Sequence, residues 1–413
     1  MPPPPPAVRR HRLALQLCFA IPGLSLATWV TRTPDVRDRL DASTAEMGLV
    51  LFGMAAGSML GILVAGALVA RFATRPVVVT GMSLVLASVA VTALGAAVAS
   101  APLVTFGLFL IGSGVGLSEV ASNVDGSVVE REYGRPVLPA LHGCYSLGTV
   151  IGAVLGVAGA AAGLPVPWHL AAVLLLATAL FALALPGLRP GLGRALPGEA
   201  EEDGARERRL YLDPKLLLIG GVLFAMTLAE GAATDWLPLL MVDGHDMPAG
   251  LGSAVYAGFA ATMAVGRFAG GPVVARFGRP AVLGGGALLA AAGIALVSFS
   301  DAPAAAGCAV LLWGLGTALG FPLALSAAGE SGPDTTGRIA LTSRIGYVAL
   351  LAGPPVLGLL GERLGLRAAM VPVLLLVLAA AALSPATGPR RGDGSPNEGQ
   401  PSGDARPPAP AAR

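Results

Sequence analysis

Residues 57–72 read GSMLGILVAGALVARF, and residues 262–277 read TMAVGRFAGGPVVARF. At an offset of 205 positions, Gly53, Gly61 and Gly66 fall on Gly258, Gly266 and Gly271. Val69-Ala70-Arg71-Phe72 falls on Val274-Ala275-Arg276-Phe277. The repeat extends further: Trp29 meets Trp236 at 207, and Tyr145 meets Tyr347 at 202. A near-constant offset over several hundred residues restricts the chain to folds made of two copies of one unit.

The copies are apolar throughout. Hydrophobic residues make up 54% of the 413 positions and charged residues 13%, too few to cover a soluble surface of this size. Crossing a bilayer takes about 20 apolar residues per helix. Twelve segments qualify: 13–31, 46–70, 77–97, 102–124, 139–163, 166–186, 214–241, 251–275, 280–299, 303–328, 339–361 and 366–386. The expected fold is an all-α membrane protein, with twelve transmembrane helices in two pseudo-symmetric six-helix bundles. An N-terminal segment, 1–12, precedes the first bundle, 13–186. A polar linker, 187–213, leads to the second bundle, 214–386, and a Gly/Pro/Ser-rich tail, 387–413, is expected to be disordered. The apolar run after MPPPPPAVRRHR continues without a small-residue cleavage site, so it reads as an uncleaved first span. Six spans per half make the copies parallel, with a binding site between them near the midplane.

Positive charge sets the orientation. With the N-terminus inside, twenty Lys and Arg lie inside and five outside. Both termini are therefore expected in the cytoplasm. The net charge of +2 points to no nucleic-acid partner. Cys18, Cys144 and Cys308 read as buried membrane residues rather than disulfides or ligands. No metal cluster, phosphate loop or nucleophile constellation is present, so neither a cofactor nor catalysis is expected.

Chemistry is concentrated in a few intramembrane polar residues, which are costly in lipid and face a cavity or a partner. Span four carries Glu119 and, one turn on, Asn123. Burial of a carboxyl favours its neutral form and lets it exchange a proton near neutral pH. Asn123 supplies a donor and an acceptor for a hydroxylated ligand. A structural alternative pairs Glu119 with Arg267 or Arg344 as a gate. Span seven carries Glu230 near mid-membrane, then Asp235, Trp236 and Pro238. Trp236 and its repeat mate Trp29 suit stacking on a ring, or anchor the interface. Tyr145 and His142 open span five. Arg32 is spaced to pair with Asp35, and residues 35–41 read as an exposed loop. The basic loops holding Arg71, Arg75, Arg276 and Arg279 are candidates to pair with acids ending spans four and ten, such as Asp125 and Glu330.

Together these features resemble the major facilitator superfamily. Its loop motif, Gly-x-x-x-Asp-Arg-x-Gly-Arg, keeps its frame at Gly271–Arg279 and, with Arg75 one residue late, is approximated at Gly66–Arg75, with Ala70 and Ala275 in place of Asp. The strings WVTRTPDVRD, SEVASNV, LHGCYSLGT, AEGAATDWLPLLMVDGH and AGPPVLGLLGERLGLR resemble the YbjJ/MosC-like branch. Glu119-x-x-x-Asn123 resembles the span-four motif of fucose:proton symporters. That likeness implies a proton-linked Glu119 and substrate bonding at Asn123. Those symporters also carry an acid in the middle of helix one; here span one has none before Asp35, which shifts the second coupling role to Glu230.

The resemblance implies a monomeric, proton-coupled symporter of a small polar solute (a sugar, polyol or inositol derivative) in a bacterial plasma (inner) membrane. Its partners would be substrate, protons and lipid. Export of amphipathic or cationic compounds, or a non-transporting sensor or biosynthetic accessory, are the alternatives.

Overall fold

The computed structural model describes residues 5–133, 137–192, 210–332 and 335–388. Most of the linker and nearly all of the tail lie outside the described residues. Twelve helices are long and apolar enough to span a membrane: Pro6–Thr31, Thr44–Phe72, Thr74–Ala97, Ala101–Glu130, Ala140–Ala161, Val166–Gly187, Pro214–His245, Ala249–Phe277, Arg279–Phe299, Pro303–Glu330, Gly337–Leu364 and Leu366–Thr387. They are called spans one to twelve. No strand occurs among the described residues.

Two boundaries differ from expectation. Span one starts at Pro6 rather than residue 13, because proline is tolerated in a first turn, where its missing N–H costs nothing. Residues expected as a loop form the short helix Thr33–Leu40, closed by Asp41 in a left-handed conformation. Ser43 then restarts the chain with a reciprocal cap. Its Oγ accepts from the Glu46 amide at 3.2 Å, and Glu46 Oε2 accepts from the Ser43 amide at 2.8 Å.

Span ten is broken into Pro303–Thr317 and Gly320–Glu330. Pro322 explains the break. It has no N–H for the carbonyl of Ala318 four residues back, and its ring crowds that carbonyl. Span twelve breaks likewise after Ala369, just before Pro372.

The halves are packed unequally along their length. Toward the face opposite the termini, one hydrophobic core joins both halves: Trp29, Val36, Met47 and Leu51 pack with Trp236, Leu240, Phe259 and Leu366. Toward the termini face, the first half keeps a separate core built on Leu15, Phe19, Val69, Met82 and Leu141. Polar ties follow the same pattern. Near the opposite face, Ser253 Oγ donates to Thr31 O at 2.6 Å, the Ala45 amide donates to Glu362 Oε2 at 3.2 Å, and Arg37 pairs with Asp243. All three cross between halves. Near the termini face, His11–Asp125, Arg189–Glu132, Arg279–Glu330 and Arg338–Asp213 each stay within one half.

Glycine lets the halves meet closely on the sealed side. A Cβ on Gly48 of span two would sit 2.8 Å from Pro354 O and 3.1 Å from the Gly358 Cα of span eleven.

Candidate functional site

Five polar residues from five spans reach a common depth. Glu119, Tyr145, Glu230, Arg267 and Tyr347 each lie about 15 to 18 residues from the opposite-face end of their helix, roughly 22–27 Å along the axis. Two come from the first half and three from the second.

Their placement opens a polar centre. Glu119 is exposed although it lies well inside the apolar span four. An accessible carboxyl halfway along an apolar, interior helix requires a cavity beside it. Arg267 of span eight and Tyr347 of span eleven, both in the other half, lie within electrostatic range of Glu119. Tyr145 lies within range of Glu119, Arg267 and Glu230. His142, one turn nearer the termini face, is exposed and in range of Arg267, and its ring meets Phe19 edge-on at 5.1 Å.

Arg267 is the hub of this centre. Its Nη2 donates to Glu230 Oε1 at 2.8 Å, and its Nε donates to Ala318 O at 3.4 Å. Ala318 O is the carbonyl that Pro322 deprived of its helical partner. A proline in span ten thus creates an acceptor, and a guanidinium from span eight takes it. The ion pair is partly open, with side chains 30% and 26% exposed, so its charges remain available to a ligand. The expected gate pairing of Arg267 with Glu119 is not made in this conformation.

Nearer the opposite face lies a more enclosed group. Trp29 and Trp236 are buried, and neither indole N–H has a hydrogen-bond acceptor. Asp235 is 6% exposed, and Tyr256 of span eight is buried within its electrostatic range. Trp313 packs edge-on against Phe259 and donates to Ala229 O at 3.2 Å, fixing span ten against span seven. Asn123 is half-buried, with its Oδ1 lacking a donor.

The remaining sites fall at the two faces. Arg32 pairs with Asp35 at 2.9 Å and donates to Leu164 O at 2.6 Å. Its burial pulls the guanidinium down from its ordinary pKa, and Asp35 opposes that shift. Arg279 pairs with Glu330 at 2.7 Å, as its spacing suggested. Asp125 does not serve the basic loop at Arg71 and Arg75. It is fully buried inside the first half, with Oδ2 3.3 Å from Nε2 of an equally buried His11, because its face of span four packs against span one. Arg71 and Arg276 lie over the adjacent rings of Phe72 and Phe277. Arg344 is exposed on span eleven. No group of three or more metal-ligating side chains occurs among the described residues.

His11, Tyr256, Trp313 and Tyr347 were not picked out from sequence as site residues. Tyr347 carried a signal, since it repeats Tyr145; the others reach their partners only through packing.

The Major Facilitator Superfamily pattern matches residues 16–349. The chain belongs to that superfamily. Among its relatives, an uncharacterized MFS-type transporter of Yersinia pestis is 30% identical, over 90% of this chain and 94% of its own. The membrane protein MosC of Rhizobium meliloti is 29% identical, over 87% of this chain and 85% of its own. Several solved structures share the fold. A nucleoside transporter superposes with a TM-score of 0.74 at 12% identity, covering 92% of this chain and 99% of its own. A D-xylose-proton symporter gives 0.73 at 14% identity, with 91% and 97% covered. The E. coli fucose:proton symporter gives 0.64 at 18% identity, with 92% and 99% covered. This major facilitator is therefore a multi-pass membrane protein of a transporter family.

Proposed function

We propose that this major facilitator is a proton-coupled symporter of a small polar solute: a sugar, polyol or inositol derivative. The observation that carries the reading is Glu119, an exposed carboxyl at mid-bundle within electrostatic range of Arg267 in the other half. The solute would bind between the halves, where Asn123, Tyr145 and the partly open Glu230–Arg267 pair offer donors and acceptors for hydroxyl groups. Trp29 and Trp236 would close the cavity above it. The fold likeness to fucose and xylose symporters supports this class of solute.

The termini face would be cytoplasmic, since it carries most of the Lys and Arg. The described conformation would then be sealed outside and parted inside. In this scheme a charged Glu119 attracts Arg267 and favours approach of the halves on the cytoplasmic side. A protonated Glu119 leaves Arg267 with Glu230 and Ala318 O, and the inner side stays parted. Proton binding thereby biases a two-state rocking motion.

The test is uptake into proteoliposomes with and without an inward proton gradient, using a panel of sugars and polyols. Wild-type protein should accumulate a member of the panel only with the gradient. Glu119→Gln should lose accumulation while retaining solute exchange. Coupling that survives in Glu119→Gln would refute the assignment.

A further inference from the structure

Asp235 stands apart from the other intramembrane acids. It is 6% exposed, and among the described residues no cation or hydrogen-bond donor reaches it. Glu230, five residues earlier on the same helix, has Arg267 at 2.8 Å. A carboxylate enclosed in apolar surroundings without a counter-charge is strongly disfavoured against the neutral acid.

The repeat shows what the neutral acid can do. Asp235 occupies the position of Thr28 in the first half. Thr28 Oγ1 donates to Leu24 O at 2.8 Å, the carbonyl four residues back. A protonated Asp235 has one O–H and can donate to its own neighbouring carbonyls in the same manner. An ionised one can only accept, and among the described residues no hydrogen bond to it is made in this conformation.

The charged groups on surrounding elements do not supply a partner. Span eight presents Tyr256, a phenol, while its Arg267 is committed to Glu230. On span eleven, Arg344 stands about 15 Å nearer the termini face by helical rise. Toward the opposite face, Asp243 lies about 12 Å further along span seven and pairs with Arg37 of the short helix. Arg32 of span one pairs with Asp35, and Arg367 of span twelve pairs with Asp301.

Asp235 also sits where access must alternate. Trp236 beside it packs against Gly358 at the seam between spans two and eleven. That seam is part of the sealed side, so opening it would admit water toward Asp235, and closing it buries the group again.

We propose that Asp235, rather than Glu230, is the second proton-bearing carboxyl, loaded with a proton from the outer solution when the opposite face opens and still protonated in the conformation described. This rests on the transport reading above. Glu230 then serves to hold Arg267.

Infrared spectroscopy of the full chain in nanodiscs tests this without a substrate. At neutral pH the wild type should show a protonated-acid carbonyl band. Asp235→Asn should abolish that component, Asp235→Glu should restore it at a shifted frequency, and Glu230→Gln should leave it intact. An unchanged band in Asp235→Asn, or a band lost in Glu230→Gln instead, would overturn the proposal. In vesicles, Asp235→Asn should lose at least tenfold in gradient-driven accumulation. Failure of the transport reading shows separately, as wild-type vesicles that accumulate none of the sugars or polyols.

Discussion

Gly23 in span one and Glu230 in span seven are the same position in the two copies, yet their surroundings are opposite. In the first half, spans one and five touch backbone to backbone. A Cβ on Gly23 would collide with the carbonyl oxygen of Tyr145, and one on Gly148 with that of Ala20. In the second half, spans seven and eleven keep side chains between them. A Cβ on Gly346 would meet only side-chain atoms, Leu223 Cδ2 at 3.1 Å and Thr227 Oγ1 at 3.5 Å, and one on Gly353 only Leu228 Cδ1 at 3.1 Å. A glutamate cannot occupy a crossing as tight as that at Gly23. Its presence at 230 requires the second pair of helices to stand apart, and the space gained admits Arg267. Duplication supplied the scaffold; loosening one crossing made room for charge.

The largest expected effect comes from forcing the tight crossing to behave like the loose one. Gly23→Leu should prevent stable folding, since backbone on both sides leaves nothing to repack. Its membrane-extracted yield on size-exclusion chromatography should collapse. Gly353→Ala in the second half should give near wild-type yield, because a leucine tip can rotate away.

Next is the charge that the loose crossing admits. Arg267→Gln leaves Glu230 without its cation, and should cost about 1–3 kcal/mol for a partly open pair. The double variant Arg267→Gln/Glu230→Gln should recover part of that loss, as read by thermal unfolding in detergent. Equal losses in the single and double variants would show that the pair is not coupled.

Pro322→Ala should change stability in the opposite direction and act more visibly on function. A restored N–H at 322 would reclaim Ala318 O from Arg267. Helix repair should stabilise span ten by about 1–3 kcal/mol, with slower solute exchange in vesicles because the guanidinium loses one anchor.

The smallest effect belongs to the surface tie between halves. Arg37→Ala removes the pair with Asp243, and exposed pairs contribute about 0–1 kcal/mol. Melting should scarcely move. Spin-label distances across the opposite face should still shift toward the open population, more so at low salt.

The number of spans and the doubling were legible because each rests on composition or on offsets along the chain. The depth of Glu119 and Glu230 followed from counting residues along apolar runs. Pairings across helices were not legible, because they depend on how five helices rotate about their axes. Asp125 could have faced a basic loop or the interior from spacing alone; packing against His11 decided it. The short helix Thr33–Leu40 was hidden by its charges, which read as a loop until Val36 is seen buried in the shared core. The break in span ten had a visible cause in Pro322, but nothing in sequence showed that Arg267 would use the carbonyl it frees.

The glycine seam at Gly48 and Gly358 has a kinetic meaning. Surfaces without side chains have no rotamers to freeze when they meet and none to release when they part. Such a seam can close and reopen without repacking an interlocked set of side chains, so the barrier to switching is left to the ion pairs and to the aromatic residues behind it. A bulky residue there would act as a doorstop, holding the protein with its opposite face ajar while leaving each bundle folded.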